Sequence, residues 1–186
     1  MLQRVWTIST VLSFSRIVLL APFTYFLFAD SSNSRLWAAG IAALGVVTDL
    51  LDGFLARKLH QVTDFGKIID PIADKIVVGA GAVMLVWVGD IPLWYVAAIV
   101  GRDVLILFGG MYIKAKKNII SQSNLPGKLT VLLIALVLVL STLRIETLEA
   151  FRSAVLWASV LMMAVSLINY VQRMFIGSLV EKKSAA

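Results

Sequence analysis

Five aspartates fall where an apolar chain tolerates them least. Asp49, Asp52, Asp70, Asp74 and Asp103 lie in or against long hydrophobic stretches. A charge at the centre of a membrane-spanning helix costs at least roughly 2.5–3.5 kcal/mol on insertion scales, so such groups face a wet cavity, pair with cations or bind metal. Four of the five are spaced to converge. Asp49 and Asp52 are three residues apart and Asp70 and Asp74 four apart, so on helices each pair shares a face. A short connection makes the two helices antiparallel neighbours, with all four carboxylates opening into one space. Left bare, they would repel one another and some would stay protonated. Hard divalent cations remove that conflict, because all-oxygen ligation suits Mg²⁺, Mn²⁺ or Ca²⁺ and not zinc.

The neighbouring residues fit a ligand site. Gly53 follows Asp52, Ala56 is about a turn further on, and Gly66 stands one turn before Asp70 on the same face. These small residues keep one wall of the cavity low. Arg57 places a guanidinium beside the carboxylates, and cation plus guanidinium together neutralise a diphosphate. Taken singly, each feature has a plainer meaning. Glycines in membrane helices serve packing, and Gly79 and Gly81 are assigned to it. Arg57 alone would be an orientation anchor, and one aspartate pair alone an ion or proton path. None of these accounts for all eight positions.

The elements that must hold these residues follow from composition. The chain has 186 residues, 60% hydrophobic and 15% charged, with a mean hydropathy of +0.91. A soluble domain averages roughly 45–50% apolar and about 25% charged, so an ordinary soluble enzyme, a disordered chain and a disulfide scaffold fit poorly. The absence of cysteine excludes thiolate catalysis, disulfides and Cys-ligated metal. The single histidine, His60, excludes a multi-His centre and reads as a solvated loop residue. A net charge of +6 is too thinly spread for a nucleic-acid surface.

A spanning helix needs roughly 20 mostly apolar residues. Six stretches are predicted to span, at 11–28, 36–56, 68–88, 91–113, 129–143 and 152–172, the fifth being short enough to begin a few residues earlier. The connections are short and polar, with no repeat, linker or low-complexity run, so 1–186 reads as one all-α, polytopic membrane domain. Arg4, Arg57, Lys58, Lys67, Lys114, Lys116, Lys117, Lys128, Arg173, Lys182 and Lys183 collect on one side, against Arg35, Arg144 and Arg152 on the other. Positive charge marks the cytoplasmic side, so both termini and the aspartate site are expected to face the cytoplasm, on a surface that attracts anionic lipid. The first stretch reads as a retained helix rather than a cleaved signal peptide. Residues 1–8 suit either a short interfacial helix or a frayed end.

The site residues in order read Asp49-x-x-Asp52-Gly53-x-x-Ala56-Arg57-(x)8-Gly66-x-x-x-Asp70-x-x-x-Asp74. This pattern resembles, without a departure, the signature of the CDP-alcohol phosphotransferase family. Thr10, Ser13, Arg16 and Pro22 are similar to the first-helix pattern of its bacterial phosphatidylglycerophosphate synthases. Gly101-Arg102-Asp103 and Pro126-Gly127-Lys128-Leu129-Thr130 are similar to their fourth helix and the start of their fifth. Thr7 and Ser13 depart from the commoner Asn and Thr, and Gly-Arg-Asp is equally similar to the cardiolipin synthases of the family.

The resemblance implies a six-helix membrane enzyme of phospholipid biosynthesis, often a homodimer, with a polar cavity open to the cytoplasm. It implies two divalent cations, Mg²⁺ or Mn²⁺, held by Asp49, Asp52, Asp70 and Asp74. Asp74 is also the matching general base, and Asp52, Gly53, Ala56, Arg57 and Gly66 match positions that contact the CDP diphosphate. The expected reaction moves a phosphatidyl group from CDP-diacylglycerol to the hydroxyl of sn-glycerol 3-phosphate, releasing CMP. A phosphorylated acceptor needs two or three cations, and Arg102 and Lys128 are the favoured contacts, although Arg102 falls near the outer start of its predicted span. The lysines between 114 and 128 otherwise read as orientation and lipid-surface charges. Arg173 could serve from the last helix. Phosphatidylglycerol or an inositol phosphate as acceptor stays open. An ion transporter with intramembrane aspartates is the reading from another class, and it requires aspartates spread through the membrane depth and helix repeats. The compact chain without a transit peptide points to a bacterial plasma membrane.

Overall fold

The computed structural model describes the backbone of residues 8–59, 66–117 and 125–184 and the side chains of 14–50, 75–109 and 125–172. Among the described residues there are six α-helices and no strand. They are α1 (Ile8–Phe28), α2 (Ser34–Leu59), α3 (Gly66–Trp87), α4 (Leu93–Lys117), α5 (Leu125–Leu143) and α6 (Glu149–Ser184), with a 3-10 turn at Glu146–Leu148. Each predicted span falls on one helix. Residues 1–7, where an interfacial helix is one of the expectations, lie outside the described residues.

Local chemistry sets the boundaries. Gly89 has φ +78 and closes α3: its N–H bonds to the Val86 carbonyl at 3.0 Å, and the Asp90 N–H to the Leu85 carbonyl at 2.9 Å. That pair of bonds is a Schellman cap, whose left-handed residue glycine adopts without strain. Pro92 then precedes α4, so the fourth helix begins at Leu93, not at 91. Pro126 sits in the first turn of α5, where its missing N–H costs nothing, and the helix opens four residues before the predicted 129. Helix α6 runs for 36 residues, about 54 Å at 1.5 Å per residue, well past the predicted end at 172.

The surface is inverted relative to a water-soluble bundle. Tyr25, Trp37, Trp87, Leu93, Phe108, Trp157 and Leu161 are exposed, while Arg16, Arg102, Thr130, Thr142, Ser159 and Ser166 are buried. Buried hydroxyls satisfy themselves on their own helices, as Thr130 Oγ1 donates to the Pro126 carbonyl at 2.7 Å and Thr142 Oγ1 to that of Leu138 at 2.8 Å. Two described stretches, Leu125–Leu143 and Glu146–Gln172, are long and apolar enough to cross a bilayer, and only 33% and 28% of them is buried. A soluble core helix of that apolarity would be mostly covered; these suit a hydrocarbon surrounding. Shorter apolar stretches lie at Phe14–Phe28 and Lys75–Trp87.

The contacts divide the chain into two compact units, Met1–Pro92 with Leu138–Glu149, and Leu93–Val137 with Ala150–Ala186. In the first unit α1 packs against both α2 and α3. Arg16 meets Asp49 and Phe26 meets Trp37, so α1 and α2 are antiparallel. Near their C-terminal ends α1 and α3 meet where Thr24 Oγ1, which donates to the Leu20 carbonyl at 2.7 Å, lies 3.2 Å from Met84 Sδ. Beyond that end, Asp90 receives ion pairs from Arg35 at the start of α2 and from Arg144 Nε, at 3.3 Å, just past α5. Arg144 is the one described non-glycine residue with positive φ (+52).

In the second unit α4 and α6 run parallel in a seven-residue register. Trp94 stacks on Trp157 with ring centroids 5.8 Å apart, and Tyr95 Oη shares a 2.7 Å hydrogen bond with Ser159 Oγ. Arg102 reaches Ser166, and Gly109 lies under Tyr170, whose ring stands 2.7 Å from where a Cβ would be. A Cβ at Gly79 or Gly81, both assigned to helix packing from the sequence, meets nothing within 4 Å among the described residues, where the close approach is made at Gly109.

Asp90 is 2% exposed at its side chain. Asp90→Asn keeps the shape and removes the charge that Arg35 and Arg144 share. The arginines left behind are 24% and 63% exposed, so the loss is that of charged hydrogen bonds, about 1.5–3 kcal/mol, and in a chain of this size the melting temperature measured by circular dichroism in detergent is expected to fall by roughly 5 °C.

Candidate active site

The backbone carries the predicted site residues on two uninterrupted helices. Asp49, Asp52, Gly53, Ala56 and Arg57 lie in the second half of α2, and Gly66, Asp70 and Asp74 in the first three turns of α3. Both segments are α-helical, so Asp49 with Asp52, and Asp70 with Asp74, each occupy one helix face. Asp49 is the member whose side chain is described. The side chains of Asp52, Gly53, Ala56, Arg57, Gly66, Asp70 and Asp74 lie outside the described residues.

Helix α1 is what brings the two segments to one end. It is antiparallel to α2 and meets α3 C-terminal end to C-terminal end. The last turns of α2 and the first turns of α3 therefore both lie toward the start of α1. Counted along the helices at 1.5 Å per residue, Asp49 and Asp52 stand about 15 and 10 Å from the end of α2, and Asp70 and Asp74 about 6 and 12 Å from the start of α3. The backbone positions of the four aspartates thus lie about 6–15 Å from those helix ends.

Asp49 accepts an ion-paired hydrogen bond on Oδ1 from Nη1 of Arg16. The Arg16 side chain is 4% exposed and that of Asp49 42%, so a buried guanidinium meets a half-exposed carboxylate. A charged guanidinium in an apolar helix is tolerated where it meets a carboxylate at its own depth. Next to it, Thr48 Oγ1 donates to the Gly45 carbonyl at 2.8 Å and stays on its own helix. Sequence reasoning placed Arg16 inside a span and left it without a role. The signal was there, since an isolated arginine in an apolar helix implies a carboxylate partner on a neighbour, but the partner depends on an interhelical register that a sequence does not print.

The two candidate acceptor contacts belong to the second unit. Arg102 is the tenth of the 25 residues of α4, Leu93–Lys117, and so stands well inside the helix. Its Nη1 pairs with Asp103 Oδ1 at 2.8 Å, and its Nη2 donates to Ser166 Oγ of α6 at 3.3 Å. The fifth aspartate is thereby neutralised by its own neighbour. Lys128 is exposed in the first turns of α5. Thr7 and His60 lie outside the described residues, as does the side chain of Arg173.

The donor set is all carboxylate, the ligand chemistry of Mg²⁺ and Mn²⁺. Among the described residues no group of three or more metal-ligating side chains occurs, Asp49 being the described member of the four. What Asp49 shows fits a cation: its carboxylate is half-exposed, and one of its two oxygens is taken by a guanidinium.

Comparison with known proteins matches residues 6–165 to the family CDP-alcohol phosphatidyltransferase. A Bacillus subtilis protein named "CDP-diacylglycerol--glycerol-3-phosphate 3-phosphatidyltransferase" is 32% identical over 158 residues, 81% of each chain. A Mycobacterium tuberculosis protein named "Probable phosphatidylglycerophosphate synthase" is 35% identical over 103 residues, 54% of this chain and 49% of its own length. A human protein named "Cardiolipin synthase (CMP-forming)" is 36% identical over 110 residues, 59% of this chain and 36% of that protein. A match covering most of the chain, with the aspartate pairs gathered at one end of α2 and α3, means that this protein belongs to the CDP-alcohol phosphatidyltransferase family.

Proposed function

We propose that the protein is a membrane phosphatidyltransferase of phospholipid biosynthesis that moves the phosphatidyl group of CDP-diacylglycerol to sn-glycerol 3-phosphate, giving phosphatidylglycerol phosphate and CMP. The observation that carries this reading is the 81% two-way overlap with the Bacillus subtilis protein of that name. Depth clustering of the aspartates supports a transferase over an ion path, which needs carboxylates along the membrane depth.

The chemistry falls to named residues. Asp49, Asp52, Asp70 and Asp74 would hold Mg²⁺ or Mn²⁺, which neutralises the diphosphate and the charge developing on the leaving nucleotide. Arg57 pairs with a diphosphate oxygen, while Gly53, Ala56 and Gly66 keep side-chain bulk away so that CDP lies against the helix backbones, with Asp52 beside it. Asp74 accepts the proton of the acceptor hydroxyl. The hydroxyl oxygen bonds to the lipid-side phosphorus as the bond from that phosphorus to the CMP phosphate oxygen breaks. The acyl tails stay in the bilayer, and holding the two oxygens in line provides much of the rate. Arg102 and Lys128 are the candidates for the acceptor phosphate.

The same reading includes topology and assembly. The six helices span a bacterial plasma membrane as one domain, with both termini and the site on the cytoplasmic face, supported by the lysine and arginine asymmetry. A homodimer is proposed from the family resemblance alone. Cardiolipin synthesis, with phosphatidylglycerol as acceptor, is the second reading, supported by the match to the human enzyme.

Three outcomes test the proposal. Purified protein given labelled CDP-diacylglycerol, Mg²⁺ or Mn²⁺ and a panel of acceptors is expected to release CMP with glycerol 3-phosphate; release with phosphatidylglycerol alone transfers the assignment to the second reading. EDTA is expected to abolish CMP release and Mn²⁺ to restore it. Asp74→Asn is expected to lower kcat by about 10²–10⁴, the usual contribution of general acid–base catalysis, with CDP-diacylglycerol binding largely kept; a near-normal kcat removes Asp74 from the base role.

A further inference from the structure

The ion pair between Arg16 and Asp49 joins a buried guanidinium to a carboxylate that the proposed function assigns to the cation site. The two residues are 33 positions apart and come from different helices, α1 and α2. Arg16 is enclosed, at 4% side-chain exposure, so its planar head cannot swing into water to follow a mobile partner. Asp49 is 42% exposed, and the terminal torsion of an aspartate is broad, so a carboxylate that open turns readily unless something holds it. The guanidinium takes Oδ1, which restrains the carboxylate and leaves Oδ2 to another partner.

We propose that Arg16 is a positioning residue for the cation site: by holding Asp49 Oδ1 from α1, it presents Oδ2 of Asp49 to the divalent cation. This rests on the cation-dependent reading above and adds a residue to it from outside the two signature helices. Two opposing effects make the sign decisive. As a bare positive charge near the site, Arg16 would weaken cation binding, and its removal would tighten it. As an orienting partner, its removal weakens binding, because outer partners of metal ligands typically carry about 10–100-fold in affinity. The buried, one-oxygen contact favours the second.

Full-length protein in detergent is titrated with Mn²⁺ alone, the unbound ion being read by its EPR signal, and melting temperatures are recorded alongside. Arg16→Met is expected to weaken Mn²⁺ binding at least tenfold. Arg16→Lys, which returns the charge without the planar fork, is expected to recover part of the loss, and it carries the test if the methionine variant does not fold. Thr24→Val, on the same helix but at its other end, is expected to lower the melting temperature without moving Mn²⁺ affinity. Unchanged or tighter Mn²⁺ binding in a folded Arg16 variant overturns the inference while leaving the cation reading intact. So does a loss in Thr24→Val equal to that in Arg16→Met, which would make the effect one of helix packing. Wild-type protein that binds no Mn²⁺ overturns the cation reading itself.

Discussion

Removing an unpaired charge from water is expensive in an apolar helix bundle, and that cost decides which faces of these helices can meet. Each described ion pair answers to it. Arg16 finds Asp49 across the α1–α2 contact, and Arg102 finds Asp103 beside it and Ser166 on α6. Asp90 takes both Arg35 and Arg144. Because lipid tails are as apolar as leucine, burying leucine against leucine gives helices little preference for one register over another. The polar pairs supply that preference. The Arg16–Asp49 pair fixes the depth at which α1 faces α2, and with it the depth of the acidic face.

How far the sequence alone leads can be judged at individual residues. The six apolar runs, the helical spacing of the aspartate pairs and the small residues beside them are periodic or compositional signals, and the structure places them on the expected helices. The end of α3 and the start of α4 differ from the hydropathy boundaries by one and two residues because the cap at Gly89 and the stop at Pro92 are local turn chemistry that hydropathy smooths over. What periodicity does not contain is the neighbour across an interface. It placed Arg16 inside a span and did not pair it with Asp49. It gave Gly79 and Gly81 to packing by residue type, whereas the tight approach is at Gly109, where α4 meets the ring of Tyr170. The parallel α4–α6 register, with Tyr95 on Ser159 and Arg102 on Ser166, depends on serines that read as unremarkable in the chain.

The residues proposed for the two substrates separate along the chain. Those assigned to CDP-diacylglycerol and the cations all lie on α2 and α3 of the first unit, while Arg102 and Lys128 lie in the second.

The Asp90 cluster has a mechanical meaning of its own. It clasps the start of α2, the turn after α3 and the end of α5 at a single buried carboxylate, far along α2 from Asp49. Helices tied at one tip tilt relative to one another about that tip, so displacement is least at the clasp and grows along the shaft. Displacement within the first unit is thereby least at Asp90 and grows along α2 toward Asp49.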